Sequence, residues 1–233
     1  MKIEKARHEL WDDISNVLIP HNTSIPGVSW TGYESGAYEL KKIERIARVC
    51  YKSDDQITES TESARKLIGN LIKNGHEAML EHEKLTVFFV CDRAVSHELV
   101  RHRMASFAQQ SQRYCNYSKD KFDGNVTFIQ PWWMDEEDDI GYSTWKQDCL
   151  RAEKAYFDLL EMGYLPQDAR MVLPNCTKTE IVVTANYREW RHILKLRCAK
   201  DAHPDMRHMM CGLRDELQKK IPIIFDDVGG EPL

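Results

Sequence analysis

The run "EKLTVFFVCD" at 83 to 92 does most to limit what this chain can fold into. β-Branched and aromatic residues fill it without a break, which predicts a buried strand. One residue later, "AVSHELVRHRM" returns to helical spacing through Val95, Leu99 and Val100, so a strand passes into a helix with the RHR triplet near its end. Further on, "TEIVVTANY" reads as a strand and "REWRHILKLRCA" as an amphipathic segment. Helices are expected at "YELKKIERIARVCY", at "TESARKLIGNLIKNG" with Ser60 or Thr61 as cap and Gly75 as stop, over roughly 143 to 162, and at "HPDMRHMMCGLRDELQKK". The alternation predicts an α+β fold with more helix than strand, a mixed sheet flanked by long helices.

A length of 233 residues and 42% hydrophobic content suit a single domain spanning 1 to 233. The acidic "MDEEDDIGYS" at 134 to 143 is expected to be a surface loop before a helix. The longest apolar runs are too short to cross a bilayer, and the first residues hold no apolar signal core, which points to a soluble cytoplasmic protein. Seven scattered cysteines, none spaced as CxxC, suit a reducing compartment. His203, His208 and Cys211 lack a fourth ligand in spacing and read as a packed helix face, so no metal is expected.

Lys and Arg number 32 against 37 Asp and Glu, a net charge of −5, so no global positive field concentrates polyanions. Against that background "ELVRHRMASFAQQSQRYCNY" gathers Arg101, His102, Arg103 and Arg113 with acidic neighbours only at Glu98 and Asp120. Consecutive helical residues point about 100° apart, so the triplet serves different ligands or faces. An extended chain through "AQQSQR" would project Gln109, Ser111 and Arg113 from one side, where a guanidinium, a hydroxyl and an amide make a phosphate cradle. A solvated, salt-bridged helix end is the competing reading.

Arg101-His102-Arg103, seven residues, then Ser111 resembles the signature of the flavin-dependent thymidylate synthases, with Ser106 and Arg113 also in register. "DARMVLP" is similar to that family's Arg-x-Val-Leu-Pro segment, "TANYREWRHILKLRCAKDAHPDMR" to its C-terminal segment, and "GHEAMLEH" holds the place of its His-Glu-(Ser/Thr)-Pro-Phe-Glu-His stretch. The four segments stand in the family's order across roughly 70 to 210. The resemblance implies a homotetramer with active sites at subunit interfaces, using FAD, dUMP, methylenetetrahydrofolate and NADPH to make dTMP. It places Arg101, His102, Arg103, Gln109, Asn186, Arg188 and His192 on FAD. It places Glu98, Arg101, Gln109, Gln110, Ser111, Gln112, Arg113, Arg170 and Arg197 on dUMP, Arg170 often from a different subunit. Arg197 would sit over the uracil as the catalytic cation, and His76 where folate and flavin meet. The family assigns Cys115 and Cys198 no nucleophilic role.

Two departures stand out. Gln109 replaces the family's frequent Glu, and Ala78-Met79-Leu80 replaces a hydroxyl residue, Pro and Phe, which removes a side-chain hydrogen bond at 78 and predicts a looser loop. The altered loop leaves open a hydroxymethyl in place of a methyl product, or a flavoprotein without folate chemistry. A single-stranded nucleic-acid binder, stacking bases on Phe107, Tyr114, Tyr117, Trp132 and Trp133, is the reading from another class.

Overall fold

The computed structural model describes residues 1–11, 36–134 and 139–229. Six strands, β1 (Lys2–Lys5), β2 (Arg7–Leu10), β3 (Lys84–Asp92), β4 (Ala105–Gln109), β5 (Thr127–Gln130) and β6 (Lys178–Asn186), alternate with helices. The helices are α1 (Ala37–Val49), α2 (Glu62–Lys73), α3 (Arg93–Leu99), α4 (Asp139–Glu161), α5 (Pro166–Ala169), α6 (Tyr187–Arg197) and α7 (Pro204–Lys220). The class is α+β, as the sequence predicts. One sheet has the order β2-β3-β6-β4; β1 pairs in parallel with β5, Lys2 opposite Thr127 through Lys5 opposite Gln130. Of the expected loop at 134 to 143, residues 135–138 lie outside the described residues, and 139–143 are helical instead, because α4 already starts at Asp139.

The chain divides into two compact units: 1–9, 87–183 and 203–209 form the first, and 10–86, 184–202 and 210–233 the second. β3 and β6 each contribute residues to both. The core of the first unit gathers Tyr117, Val126, Phe128, Cys149, Tyr156 and Ala169, with the Tyr117 and Tyr156 rings edge to face at 5.5 Å. Aromatic pairs of this geometry add about 1 kcal/mol to their area burial.

In the second unit, α1 buries Leu40, Ile43 and Ala47 at helical spacing. It also buries Glu44, bonded to Arg48 at 2.8 Å, since a desolvated carboxylate needs a cation beside it. α2 ends as the sequence predicts: Gly75, at φ +72°, donates to the Ile72 carbonyl while His76 donates to that of Leu71. This pairing closes a helix through a left-handed glycine. Its start is shared: the Thr61 hydroxyl, at the cap position, accepts from Arg65 Nε at 3.2 Å and makes no capping bond, while the Ser60 hydroxyl accepts from Glu62 N at 3.3 Å.

Gly36 opens α1 at φ +72°, and a Cβ there would lie 2.8 Å from the Lys220 carbonyl oxygen. Both the backbone angle and the close approach require glycine. Gly36→Ala is therefore expected to cost about 2–4 kcal/mol, seen as a lower midpoint in thermal unfolding; an unchanged midpoint would contradict this packing.

Candidate functional site

α3 begins where the Asp92 carboxylate accepts from Val95 N at 2.7 Å, a cap that satisfies one of the helix's orphan donors. It stops at Leu99, earlier than the periodicity predicts. Arg101 N donates to the Glu98 carbonyl, His102 N to that of Leu99, and Ala105 N to that of His102. The RHR triplet thus forms a tight connection between α3 and β4 and is not helical. His102 is 6% exposed, whereas Arg101 and Arg103 are exposed. Among the described residues no carboxylate pairs with Arg101, Arg103 or Arg113, which removes the salt-bridged helix end as an explanation of these cations.

β4 carries the chain only to Gln109, and Gln110 N pairs with the Glu180 carbonyl at 2.8 Å. The expected extended run through Arg113 does not form. The Ser111 carbonyl accepts from both Tyr114 N and Cys115 N, folding 111 to 115 into a turn, so Gln109, Ser111 and Arg113 share no strand face. The turn supplies its own internal bond, Arg113 N to Ser111 Oγ at 3.3 Å, and the Arg113 guanidinium lies 5.5 Å from the Tyr114 ring centroid. Gln109 is tied down instead: its amide donates to Ser96 Oγ at 2.9 Å and Thr179 Oγ1 at 3.1 Å, which braces β4 against α3 and β6. A glutamate at 109 could match this only by accepting both hydroxyl protons.

One cation in the first unit escaped the sequence reading. Arg93 directly follows the buried run of β3, is half-buried, and donates to Thr179 Oγ1 at 3.3 Å. Burial pulls its guanidinium below the usual range, Tyr117 acts the other way, and the neighbouring Arg170 charge lowers it further. Guanidinium stays protonated regardless, so a desolvated cation here faces a second cation with no described carboxylate paired to it. Arg170 itself donates to the Gln167 carbonyl at 3.2 Å. Nearby, burial pushes the Tyr117 phenol up to about 12, with Gln112 and the Arg93 charge pulling against it, and the phenol meets full hydrogen-bond geometry with none of the described side chains. The structure so brings Gln112 and Arg170 together around Arg93 and a buried, unsatisfied hydroxyl. Two like charges beside one buried hydroxyl without a bonded partner fit an anion.

In the second unit, Asn186 caps α6 by accepting from Glu189 N at 2.8 Å, leaving its NH2 group as a donor. Arg188 and His192 follow one turn apart, both exposed; Arg188 pairs with Glu81 at 2.5 Å. That pair is half exposed and so contributes little to stability. Arg197 ends α6. Cys198, beside it, is 1% exposed, and burial pushes its thiol up to about 12, which leaves almost no thiolate to act as a nucleophile. His76 is exposed at the entry to the 3-10 turn Glu77–His82.

That turn holds Ala78, Met79 and Leu80 and is packed and bonded at its ends. Leu80 is buried, Glu77 pairs with Arg191 at 3.0 Å, and Tyr187 N donates to the Glu83 carbonyl.

A sequence model of the family described as "Thymidylate synthase complementing protein" matches residues 37–223. The chain belongs to the flavin-dependent thymidylate synthase family. A curated relative named "Flavin-dependent thymidylate synthase" from Corynebacterium aurimucosum is 32% identical over 216 residues, covering 86% of this chain and 84% of its own. A relative of the same name from Mycobacteroides abscessus is 32% identical over 218 residues, covering 87% and 84%. Among solved structures, a UMP/dUMP methylase from Streptomyces cacaoi bound with 5-Br dUMP superposes with a TM-score of 0.71 at 20% identity, covering 97% of this chain and 96% of that one. It shows the same fold. Of the rings the nucleic-acid reading needs, Tyr117 is 4% exposed within the core and Trp132 stacks on His208 at 5.0 Å, while Tyr114 and Trp133 are exposed; family membership, not ring burial, decides against it.

Proposed function

We propose that this chain carries out the reductive methylation of dUMP to dTMP, taking the carbon from methylenetetrahydrofolate and reducing equivalents from NADPH through FAD. Membership of the family over 37–223 carries the reading. The residues fit both ligands: cations without described carboxylate partners at Arg101, Arg103 and Arg113, with the Ser111 hydroxyl and Gln112 amide, are a donor set for phosphate oxygens. Bound FAD supplies the hydride obtained from NADPH.

Arg101, His102, Arg103, Gln109, Asn186, Arg188 and His192 hold the flavin in this reading. Ser111, Gln112, Arg113 and Arg170 hold the nucleotide phosphate, and Arg93 joins them. Glu98 and Gln110 contribute to the nucleotide site, and His76 faces the folate. Arg197 sits over the uracil, where a fixed cation favours negative charge on the pyrimidine and makes C5 nucleophilic without covalent attack by the enzyme. Arg197→Lys keeps a charge but loses the planar fork. It is expected to weaken dUMP binding and to lower turnover disproportionately, by about a hundredfold; near-normal turnover would remove Arg197 from this role.

The working form is a homotetramer in the cytoplasm. Support comes from the exposed apolar side chains Met104, Ile140, Met162 and Met171, each more than 70% exposed, which a subunit interface would cover. No helix of the described residues is long and apolar enough to cross a membrane. Sedimentation equilibrium should give four times the 27.2 kDa chain mass; a monomer at micromolar concentration would contradict it.

A further inference from the structure

Two thiols in the first unit take no part in the reaction proposed above. Cys149, on α4, is 1% exposed, and its Sγ lies 3.6 Å from that of Cys176, which is half-buried in the turn at 174 to 177. The Cys176 backbone is held, its carbonyl accepting from Ile129 N at 2.8 Å. A second feature points at the same sulfur. The Trp145 indole nitrogen is buried with no hydrogen-bond partner, yet it lies close enough to Cys176 to favour the thiolate. Two cysteines filling a core as small apolar side chains need neither a sulfur-to-sulfur approach nor an orphan N–H beside one of them.

We propose that Cys149 and Cys176 form a hydroperoxide-responsive dithiol, a modification site that closes to a disulfide between α4 and the turn at 174 to 177. The sulfurs approach by roughly 1.5 Å to reach bonding distance. The hydrogen bond they share, then burial, keeps the proton on Cys149, and the same bond favours thiolate at Cys176. Cys176 is therefore the attacking sulfur. Its thiolate displaces at one peroxide oxygen, the O–O bond breaks, and the departing oxygen leaves as water after taking a proton, giving a sulfenic acid. The Cys149 sulfur then attacks the Cys176 sulfur; the S–S bond forms, the S–O bond breaks, and the Cys149 proton leaves with the hydroxide as a second water. Two thiols lose two electrons and one hydrogen peroxide gains them. Asn175, next to Cys176, accepts from Arg93 N at 2.8 Å, so the closed form reaches the anchor of the anion cluster.

The test treats the full-length protein with one equivalent of hydrogen peroxide, alkylates remaining thiols, and maps tryptic peptides without reduction. "QDCLR" and "MVLPNCTK" should be lost as alkylated peptides and appear as one cross-linked species that dithiothreitol separates. In Cys149→Ser the cross-link should vanish and Cys176 should become trappable by dimedone as a sulfenic acid. Should that variant fold poorly, the wild-type map decides alone. Both peptides remaining alkylated after the exposed Cys50 has been oxidised, or closure at Cys198 and Cys211 instead, would overturn the proposal.

Discussion

Arg93→Met is expected to weaken dUMP binding by about ten- to a hundredfold while leaving the free protein as stable as before or more so. The two effects have one cause. Arg93 is a desolvated cation beside Arg170, and among the described residues its side chain bonds only Thr179 Oγ1, so removing it relieves repulsion at the cost of one hydrogen bond. Thr179 keeps its bond from Gln109, which limits the disturbance. With nucleotide bound, the phosphate supplies the missing countercharge and Arg93 becomes a net contributor. Isothermal titration with dUMP and thermal unfolding of the free protein read the two halves separately. A variant that binds normally but unfolds early would make Arg93 a structural residue and remove it from the anion cluster.

The largest loss of stability should come from Arg191→Met, about 3–5 kcal/mol. Arg191 is 1% exposed and serves four acceptors in the second unit: the Ile224 carbonyl, both Asp227 carboxylate oxygens and Glu77 at 3.0 Å. The hydrogen bonds from Arg191 hold the Asp227 carboxyl below its ordinary range despite partial burial. Methionine fills much of the same volume, so the loss reports stranded acceptors and not a cavity. The damage should centre on the turn at Glu77–His82, because Glu77 loses its bonded partner there. Chemical unfolding measures the cost, and pairing Arg191→Met with Glu77→Gln should return part of it by removing a carboxylate left with only the more distant Lys195, at 4.0 Å, among the described residues. A loss under about 1 kcal/mol would mean that this network behaves as an ordinary surface ion pair.

How much of this was legible in the sequence depended on the range of the interactions involved. β3 was readable because burial of most of its length demands an unbroken β-branched and aromatic run, β6 because Thr179, Ile181, Val183 and Ala185 alternate onto one buried face, and Gly75 because a left-handed stop favours glycine. The RHR connection was misplaced by a few residues. Helical spacing runs through Val95, Leu99 and Val100, whereas the backbone has already left the helix after Leu99 to satisfy the turn into β4. Similarly, nothing local marks Ser111 as a turn residue; its carbonyl is captured by Tyr114 and Cys115, and the alternation argument fails with it.

β1 and β5 pair across more than a hundred residues, and four-residue strands carry too little pattern to be seen without their partners. Arg93 and Arg191 were invisible for the same reason. Each looks like one basic residue among 32 Lys and Arg, and only the fold shows that the first faces Arg170 while the second is buried among carboxylates. Candidate residues that sit in a motif could be named from the sequence; those brought together only by tertiary approach could not.

The central claim is the chemistry, and it is tested most directly by supplying purified protein with FAD, dUMP, methylenetetrahydrofolate and NADPH and weighing the nucleotide product. A nucleotide heavier by one CH2 group, formed in step with NADPH consumed, is the predicted result. NADPH consumption with dUMP unchanged, or a product that also carries an added oxygen, would contradict it.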